Sequence, residues 1–266
     1  VGYLSKGLGA YDLVMATGLA DEQEQAAMQT ALGNLAGNLY ETWVIGEGAF
    51  LVEVTQNNYN TKLLNALGLA ALMLDNDSRA ADWLRFAATE AERFYGDETV
   101  VPNLYLSEEG VCKEPPSYFD FGSYDSIPFA ITYEYMVGPG QTYVNDCSVS
   151  VPECENIYVP TNGMYHSDRF EKAYEWMVKI QMPNKMRPSI DEGTAKWAPD
   201  IAATWQYMTG NDLIAWDYKR TNLEIESNRD WAGELMARVD FDQIPDTMEL
   251  EETLFFEDSG QAVFRS

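Results

Sequence analysis

The chain has 266 residues, 46% of them hydrophobic, which is enough to bury one large core or a main domain with part of a second. Its 17 basic and 43 acidic residues give a net charge of −26, which excludes a protein that binds nucleic acid by neutralising phosphates. No window approaches the ~20 continuous apolar residues that cross a bilayer, so we expect no membrane span.

The first two predicted helices form a hairpin. Residues 1–6 resemble a helix interior and lack an initiator methionine and a signal peptide, so we expect a fragment or a processed chain. The first helix is predicted over residues 2–17, with one apolar face that contains Leu4, Leu8, Tyr11 and Met15. The second is predicted over residues 22–44, and the side chains predicted to face inward are Ala27, Leu32, Leu35, Leu39 and Trp43.

An Asn-Asn-Tyr-Asn run at residues 57–60 precedes the most apolar predicted helix. Small and aliphatic residues follow at helical spacing, which predicts burial of Leu63, Leu64, Leu67, Ala70, Ala71 and Leu74. Asn58 or a neighbour falls where an N-cap belongs, and the backbone N–H groups there make the helix end slightly electropositive. A buried helix with a polar end is a candidate site.

A fourth helix is predicted over residues 79–95, with one face formed by Ala80, Trp83, Phe86, Ala87 and Ala91. The pattern then breaks into two short extended pieces, at residues 101–105 and 107–111, and a Glu-Pro-Pro sequence at residues 114–116 that disfavours helix. Aromatic and acidic residues at positions 118–124 lead into a helix that ends near residue 136. An irregular loop of this kind between buried helices is typical of a functional site.

The last third of the chain begins with a long predicted loop at residues 138–165. It contains Cys147 and Cys154, whose spacing fits a small disulfide, while Cys112 lies apart. With three cysteines, one histidine and no CxxC pair, we expect no structural zinc site.

Helices are predicted to resume at residues 168–180 and again near 197–208, 211–218 and 228–239, after a loop at 182–193 that carries Lys185 and Arg187. Two strands are predicted around residues 258–260. We therefore predict a mainly α fold, an incomplete (α/α) toroid of antiparallel helix pairs over residues 1–246. Residues 247–266 are predicted to be the first strands of a C-terminal antiparallel β domain.

The arrangement resembles the heparinase II/III-like and alginate lyases, whose fold is an incomplete (α/α) toroid followed by antiparallel β-sheet domains. Four motifs carry the resemblance in chain order: the amides at residues 57–60, Glu-Pro-Pro-Ser-Tyr at 114–118, Met-Pro-Asn-Lys-Met-Arg-Pro at 182–188, and Phe-Glu-Asp-Ser-Gly-Gln-Ala-Val-Phe-Arg-Ser at 256–266. Each motif is short, and their order is more specific than any one of them. The resemblance implies a polysaccharide lyase that needs no cofactor, is periplasmic or secreted, and acts on an acidic polysaccharide.

The implied reaction is β-elimination, which removes the C5 proton beside a uronate carboxylate, holds the enolate-like charge and protonates the departing O4. The resemblance implies that Asn58 stabilises that charge and that Tyr118 transfers the proton. It also implies substrate contacts, which we assign to Asn57, Lys113, Glu114, Tyr124, Lys185 and Arg187. Where the family often has a histidine after the amide, this chain has Tyr59. Two alternatives are open: Tyr59 acts in place of the histidine as a second phenol, or the protein lacks the usual base. The only histidine, His166, matches neither family position.

Simpler interpretations stay open for these residues. Asn58 is also a suitable N-cap, Tyr59 a suitable packing residue, and Lys185 and Arg187 suitable solvated loop charges. At the level of function, Glu114, Asp120 and Asp125 are compatible with a glycoside hydrolase on an (α/α) toroid, which uses paired carboxylates. A non-catalytic relative would instead stack sugar rings on aromatics such as Tyr118, Phe119, Tyr124 and Trp197.

Overall fold

The described helices begin within one residue of their predicted positions, and they end close to the predicted ends except for the last, which continues to Asn222 instead of ending near residue 218. The computed structural model describes residues 2–46, 58–74, 76–95, 105–113, 116, 128–129, 132–133, 168–182, 186–189, 210–222, 242–257 and 259–264. They include helices α1 (Gly2–Thr17), α2 (Glu22–Trp43), α3 (Asn58–Met73), α4 (Ala80–Tyr95), α5 (Asp168–Lys179) and α6 (Asp212–Asn222), and strands β1 (Thr253–Phe256) and β2 (Gln261–Phe264). The fold is mainly helical with a small two-stranded antiparallel sheet, as predicted. The predicted loop at 138–165 and the helices near 197–208 and 228–239 lie outside the described residues.

The chain divides into two compact units. The first consists of Val1–Asn103 and Asp125–Met164 and contains α1 to α4, and the second consists of Leu104–Tyr124 and Tyr165–Ser266 and contains α5, α6 and the two strands. The domain boundary predicted at residue 246 stays a prediction.

Helix α3 is the centre of the first unit, where it contacts α1, α2 and α4. All six of the residues predicted to be buried along it, Leu63, Leu64, Leu67, Ala70, Ala71 and Leu74, are buried. Its partner α4 buries the predicted face, which consists of Ala80, Trp83, Phe86, Ala87 and Ala91. Apolar as α3 is, none of the helices in the described ranges has the length and hydropathy needed to cross a membrane.

Helix α2 begins as its sequence predicts but packs through a different face. Asp21 and Glu24 form a capping box, in which each side chain accepts a hydrogen bond from the other residue's backbone N–H. The predicted apolar face is wrong, because Ala27, Leu35 and Trp43 are exposed and Leu32 and Leu39 are only partly buried. The buried positions are Gly33, Ala36 and Gly37.

Helix α2 packs through this face because a pair of charged side chains lies against its two glycines. A Cβ atom at Gly33 would meet the carboxylate of Asp77, and one at Gly37 would meet the guanidinium of Arg79. Arg79 Nη2 lies 2.7 Å from Asp77 Oδ2, and the hydrogen bonds from Arg79 hold the pKa of Asp77 below its usual value. The guanidinium also lies 5.1 Å from the ring centroid of Trp83. Small residues on α2 therefore make room for an ion pair beside α4.

Gly68 gives a direct test of packing around α3. A Cβ atom there would overlap the ring of Phe129, which is fully buried. Although alanine favours helix, overpacking of this kind typically costs about 1–3 kcal/mol, so we expect Gly68→Ala to lower the free energy of unfolding by that amount. Urea unfolding measures the change. The matched control is Gly9→Ala in α1, where a Cβ meets nothing within 4 Å, and it should raise stability by up to ~1 kcal/mol. Equal effects of the two substitutions would contradict this packing.

The second unit is built around α5, which contacts α6. Asn211 caps α6 with its side-chain oxygen, which accepts from the backbone N–H groups of Leu213 and Ile214, and its amide donates to Glu171 and Glu175 of α5. The two strands are antiparallel, with Thr253 opposite Phe264 and Phe256 opposite Gln261. The two strands predicted around residues 258–260 are thus confirmed. Trp176 Nε1 of α5 donates to Gln261 Oε1 over 3.2 Å, which attaches the hairpin to this unit.

Candidate functional site

The polar end predicted for the apolar helix is observed at the start of α3. Asn58 is the first residue of the helix, so the N-cap position, one residue earlier, falls on Asn57, which lies outside the described residues. The first N–H groups of a helix have no partner inside it, and together they act as a partial positive charge. The backbone at Asn58 therefore belongs to a helix end that favours anions.

The first turn of α3 has an exposed side and a buried side. Tyr59 is 68% exposed, and its ring centroid lies 5.7 Å from Nζ of Lys62, which is partly exposed. Tyr59 is therefore not part of the buried core. On the inward side lie Asn60 and Thr61, both completely or almost completely buried. The turn thus presents a phenol and a cation outward while polar side chains fix it from within.

Two buried polar side chains of α3 attach it to other parts of the first unit. Asn60 Nδ2 donates to Glu90 Oε2 of α4 over 3.3 Å, and both residues are at most 3% exposed. Asn65 Oδ1 accepts from the backbone N–H of Phe129 at 2.8 Å, and its amide donates to Ser5 Oγ of α1 over 3.3 Å. Because a buried polar group is costly without hydrogen bonds, these contacts fix the position of α3 closely.

Lys113 and Arg187, both predicted to bind substrate, belong to the second unit. Lys113 is exposed and follows a short turn that is closed by an isolated antiparallel bridge between Leu106 and Cys112. The backbone N–H of Lys113 donates to the carbonyl of Tyr105 over 3.0 Å. Its backbone is therefore held in place while its side chain faces solvent, as a substrate contact requires.

Arg187 is buried, with 1% of its surface exposed. This burial fits neither the predicted substrate contact, which requires exposure, nor the alternative of a solvated loop charge. Its Nε donates to the carbonyl of Met177, and its Nη2 lies 3.5 Å from Oδ2 of Asp217, which is equally buried. The other Asp217 oxygen accepts from Gln181 and Arg220. Arg187 thus lies in a buried polar cluster formed with Gln181, Asp217 and Arg220.

The remaining predicted site residues, Asn57, Glu114, Tyr118, Tyr124 and Lys185, lie outside the described residues, as do His166, Cys147 and Cys154. Cys112 has a buried side chain. Among the residues that the structure does describe, no group of three histidine, cysteine, aspartate or glutamate side chains is arranged to hold a metal ion.

The sequence did not lead us to three residues that contact these positions: Lys62, Glu90 and Asp217. Lys62 follows Tyr59 by three residues, a helical spacing that was available as a signal. Glu90 lies three residues after Ala87 on the apolar face of α4, where an acid is unusual. Asp217 precedes its partner Arg220 by three residues, which was a similar signal, but its buried partners Gln181 and Arg187 are about 30 residues away or more.

Comparison of the chain with models of protein families and with curated proteins gives no match.

Proposed function

We propose that this protein is a polysaccharide lyase that cleaves a uronic-acid-containing acidic polysaccharide by β-elimination, and that its helices belong to an incomplete (α/α) toroid. The resemblance of the four motifs, in their order, supports both parts of the proposal. The observation that carries the reaction is the first turn of α3. There the exposed Tyr59 directly follows Asn58 at the start of a buried helix, and Lys62 lies one turn after Asn58, next to the ring of Tyr59.

The chemistry of the reaction explains why such a turn is suitable. Removing the C5 proton leaves its electron pair to form the C4–C5 double bond while the C4–O4 bond breaks, and the negative charge develops on the neighbouring carboxylate. Fixed N–H donors and a nearby cation stabilise such charge with little reorganisation. In this proposal Asn58 donates to the developing oxyanion, and Lys62 attracts the same carboxylate.

Two tyrosines are proposed for proton transfer. Tyr118, by its place in the Glu-x-x-x-Tyr pattern, protonates the departing O4. Tyr59 stands where the family often has a histidine and is the proposed base, which as the phenolate takes up the C5 proton and becomes the neutral phenol. Its exposed position on the first turn of α3 leaves the phenol accessible to a polymer.

The acidic surface has a consequence for substrate binding. A net charge of −26 repels a polyanion at long range, so local cations must outweigh that repulsion close to the site. Lys62, on the first turn of α3, is partly exposed and is the described cation proposed for this role. The substrate contacts of Lys113 and Lys185 stay predictions. We propose a periplasmic or secreted location, where such polymers occur.

Absorbance at the unsaturated-uronate band tests the proposed function. The protein is incubated separately with alginate, heparan sulfate, hyaluronan and chondroitin. A neutral glucan is the matched control, because it has no C5 carboxylate to acidify the proton. We expect a rising signal with at least one uronate polymer and none with the glucan. A reducing end that appears without the absorbance would show hydrolysis instead, and binding without either product would show a carbohydrate-binding protein.

A further inference from the structure

The buried hydrogen bond between Asn60 and Glu90 joins the start of α3 to the last part of α4. Its two atoms, Asn60 Nδ2 and Glu90 Oε2, lie 3.3 Å apart. Asn60 is 1% exposed and Glu90 is 3% exposed, so both groups have left solvent almost completely. Burying a carboxylate costs free energy unless hydrogen-bond donors surround it.

This hydrogen bond matters for the candidate site because it is made from the first turn of α3. Asn60 lies in the same helical turn as Asn58, Tyr59 and Lys62, but it faces inward where Tyr59 faces outward. The first turn of a helix lacks the internal hydrogen bonds that hold the middle, and it opens more readily. A buried side-chain bond from Asn60 to another helix restrains this turn and the residues on it.

We propose that Glu90 is a positioning residue that fixes the first turn of α3, and with it Asn58 and Tyr59, in the arrangement used for elimination. The catalytic part of this inference rests on the proposed function. Glu90 does not contact the polymer, because it is buried beneath the turn that does. Misplacement of a catalytic group by about 1 Å can lower the rate about 100-fold, so loss of the bond should act on turnover.

Two substitutions separate the hydrogen bond from the charge. Glu90→Gln keeps an oxygen that can accept from Asn60 Nδ2, whereas Glu90→Met keeps the length of the side chain and removes the acceptor. We expect Glu90→Met to lower kcat about 10- to 100-fold with little change in KM, and Glu90→Gln to restore most of the loss. Equal losses in both variants would overturn the inference, because the charge and not the bond would then matter.

Hydrogen exchange supplies a measurement that needs no substrate. Amides of residues 62–65, which donate to the carbonyls of the first turn of α3, should exchange faster in Glu90→Met than in wild type, while those near the end of α3 should change little. Gly68→Ala is the control for a purely structural effect, since it destabilises the middle of α3 and should leave kcat unchanged. If Glu90→Met does not fold, Asn60→Ala removes the same bond from the other side.

The two proposals fail in different ways. If wild type yields no unsaturated product on any polymer, the proposed function and the catalytic role of Glu90 are both overturned, while exchange still decides whether Glu90 holds the turn. If wild type is active and Glu90→Met leaves kcat and the exchange of residues 62–65 unchanged, the inference about Glu90 alone is overturned.

Discussion

Asp217→Ala is expected to destabilise the second unit by about 3–5 kcal/mol, the usual effect of removing one partner of a buried ion pair. The Asp217 carboxylate accepts hydrogen bonds from Gln181 and Arg220 and pairs with the buried Arg187. Without this carboxylate, the guanidinium groups of Arg187 and Arg220 lose a shared counter-charge, and Arg187 is only 1% exposed. Urea unfolding followed by near-ultraviolet circular dichroism measures the change.

Asp246→Ala is the matched control for this prediction. Asp246 also pairs with a cation, with Lys219 Nζ 2.7 Å from its Oδ1, but its side chain is 89% exposed. Because solvent and salt screen exposed pairs, the substitution should leave the unfolding midpoint almost unchanged. A double variant with Asp217→Leu and Arg187→Met should lower the free energy of unfolding much less than the sum of the two single substitutions. Similar effects of Asp217→Ala and Asp246→Ala would contradict the buried cluster.

Asn58→Ala is expected to lower kcat on a uronate polymer about 10²–10³-fold, the usual effect of removing one donor to an oxyanion. Asn58 is the first residue of α3, and the proposal places the developing charge at this helix end. The prediction concerns the rate more than binding, because the charge that Asn58 stabilises is greatest in the transition state. Initial rates over a range of polymer concentrations measure it.

The control for Asn58 must preserve the start of the helix. Aspartate is as favourable as asparagine in the first turn but has no N–H to donate, so Asn58→Asp should keep α3 intact and lose activity. Asn34→Ala, at an exposed position of α2, should change neither stability nor rate. If Asn58→Asp were fully active, Asn58 would only support the helix, as a simple cap does.

The sequence predicted those elements whose packing follows from their own periodicity. Leu63, Leu67 and Ala70 of α3 recur at helical spacing and are buried, because α3 is surrounded by three other helices and its apolar face must meet them. The strand pair was predictable for a similar reason, since alternating short runs flank the turn around Gly260. The toroid arrangement of the helix pairs stays a prediction.

Packing through small residues was not predictable from the apolar pattern. Leu35 and Trp43 of α2 were expected inside because they are hydrophobic, yet the helix approaches its neighbours through Gly33 and Gly37. The ion pair that fills this space is formed by residues about 40 positions further along the chain, Asp77 and Arg79. Periodicity within one helix carries no information about such a partner.

The candidate site was predictable only in part for the same reason. The amides at residues 57–60 marked the start of α3 correctly, because capping preferences are local. The inward bond from Asn60 to Glu90 and the burial of Arg187 against Asp217 depend on contacts between different helices and segments. Whether a loop cation is solvated or buried is decided by such contacts, so Arg187 had to be located in the structure.

The measurement that tests the central claim most directly is the mass of the cleavage products formed in ¹⁸O-labelled water. β-Elimination breaks the C4–O4 bond without adding water, so each cut should yield one unsaturated end and one reducing end. When the products are reduced with borohydride at once, which stops exchange of the anomeric oxygen, they should carry no label from the solvent. Hydrolysis adds one water molecule at each cut and would introduce the label. We predict unlabelled, unsaturated oligosaccharides from a uronate polymer. Labelled, saturated products from the same polymer would contradict the assignment as a lyase.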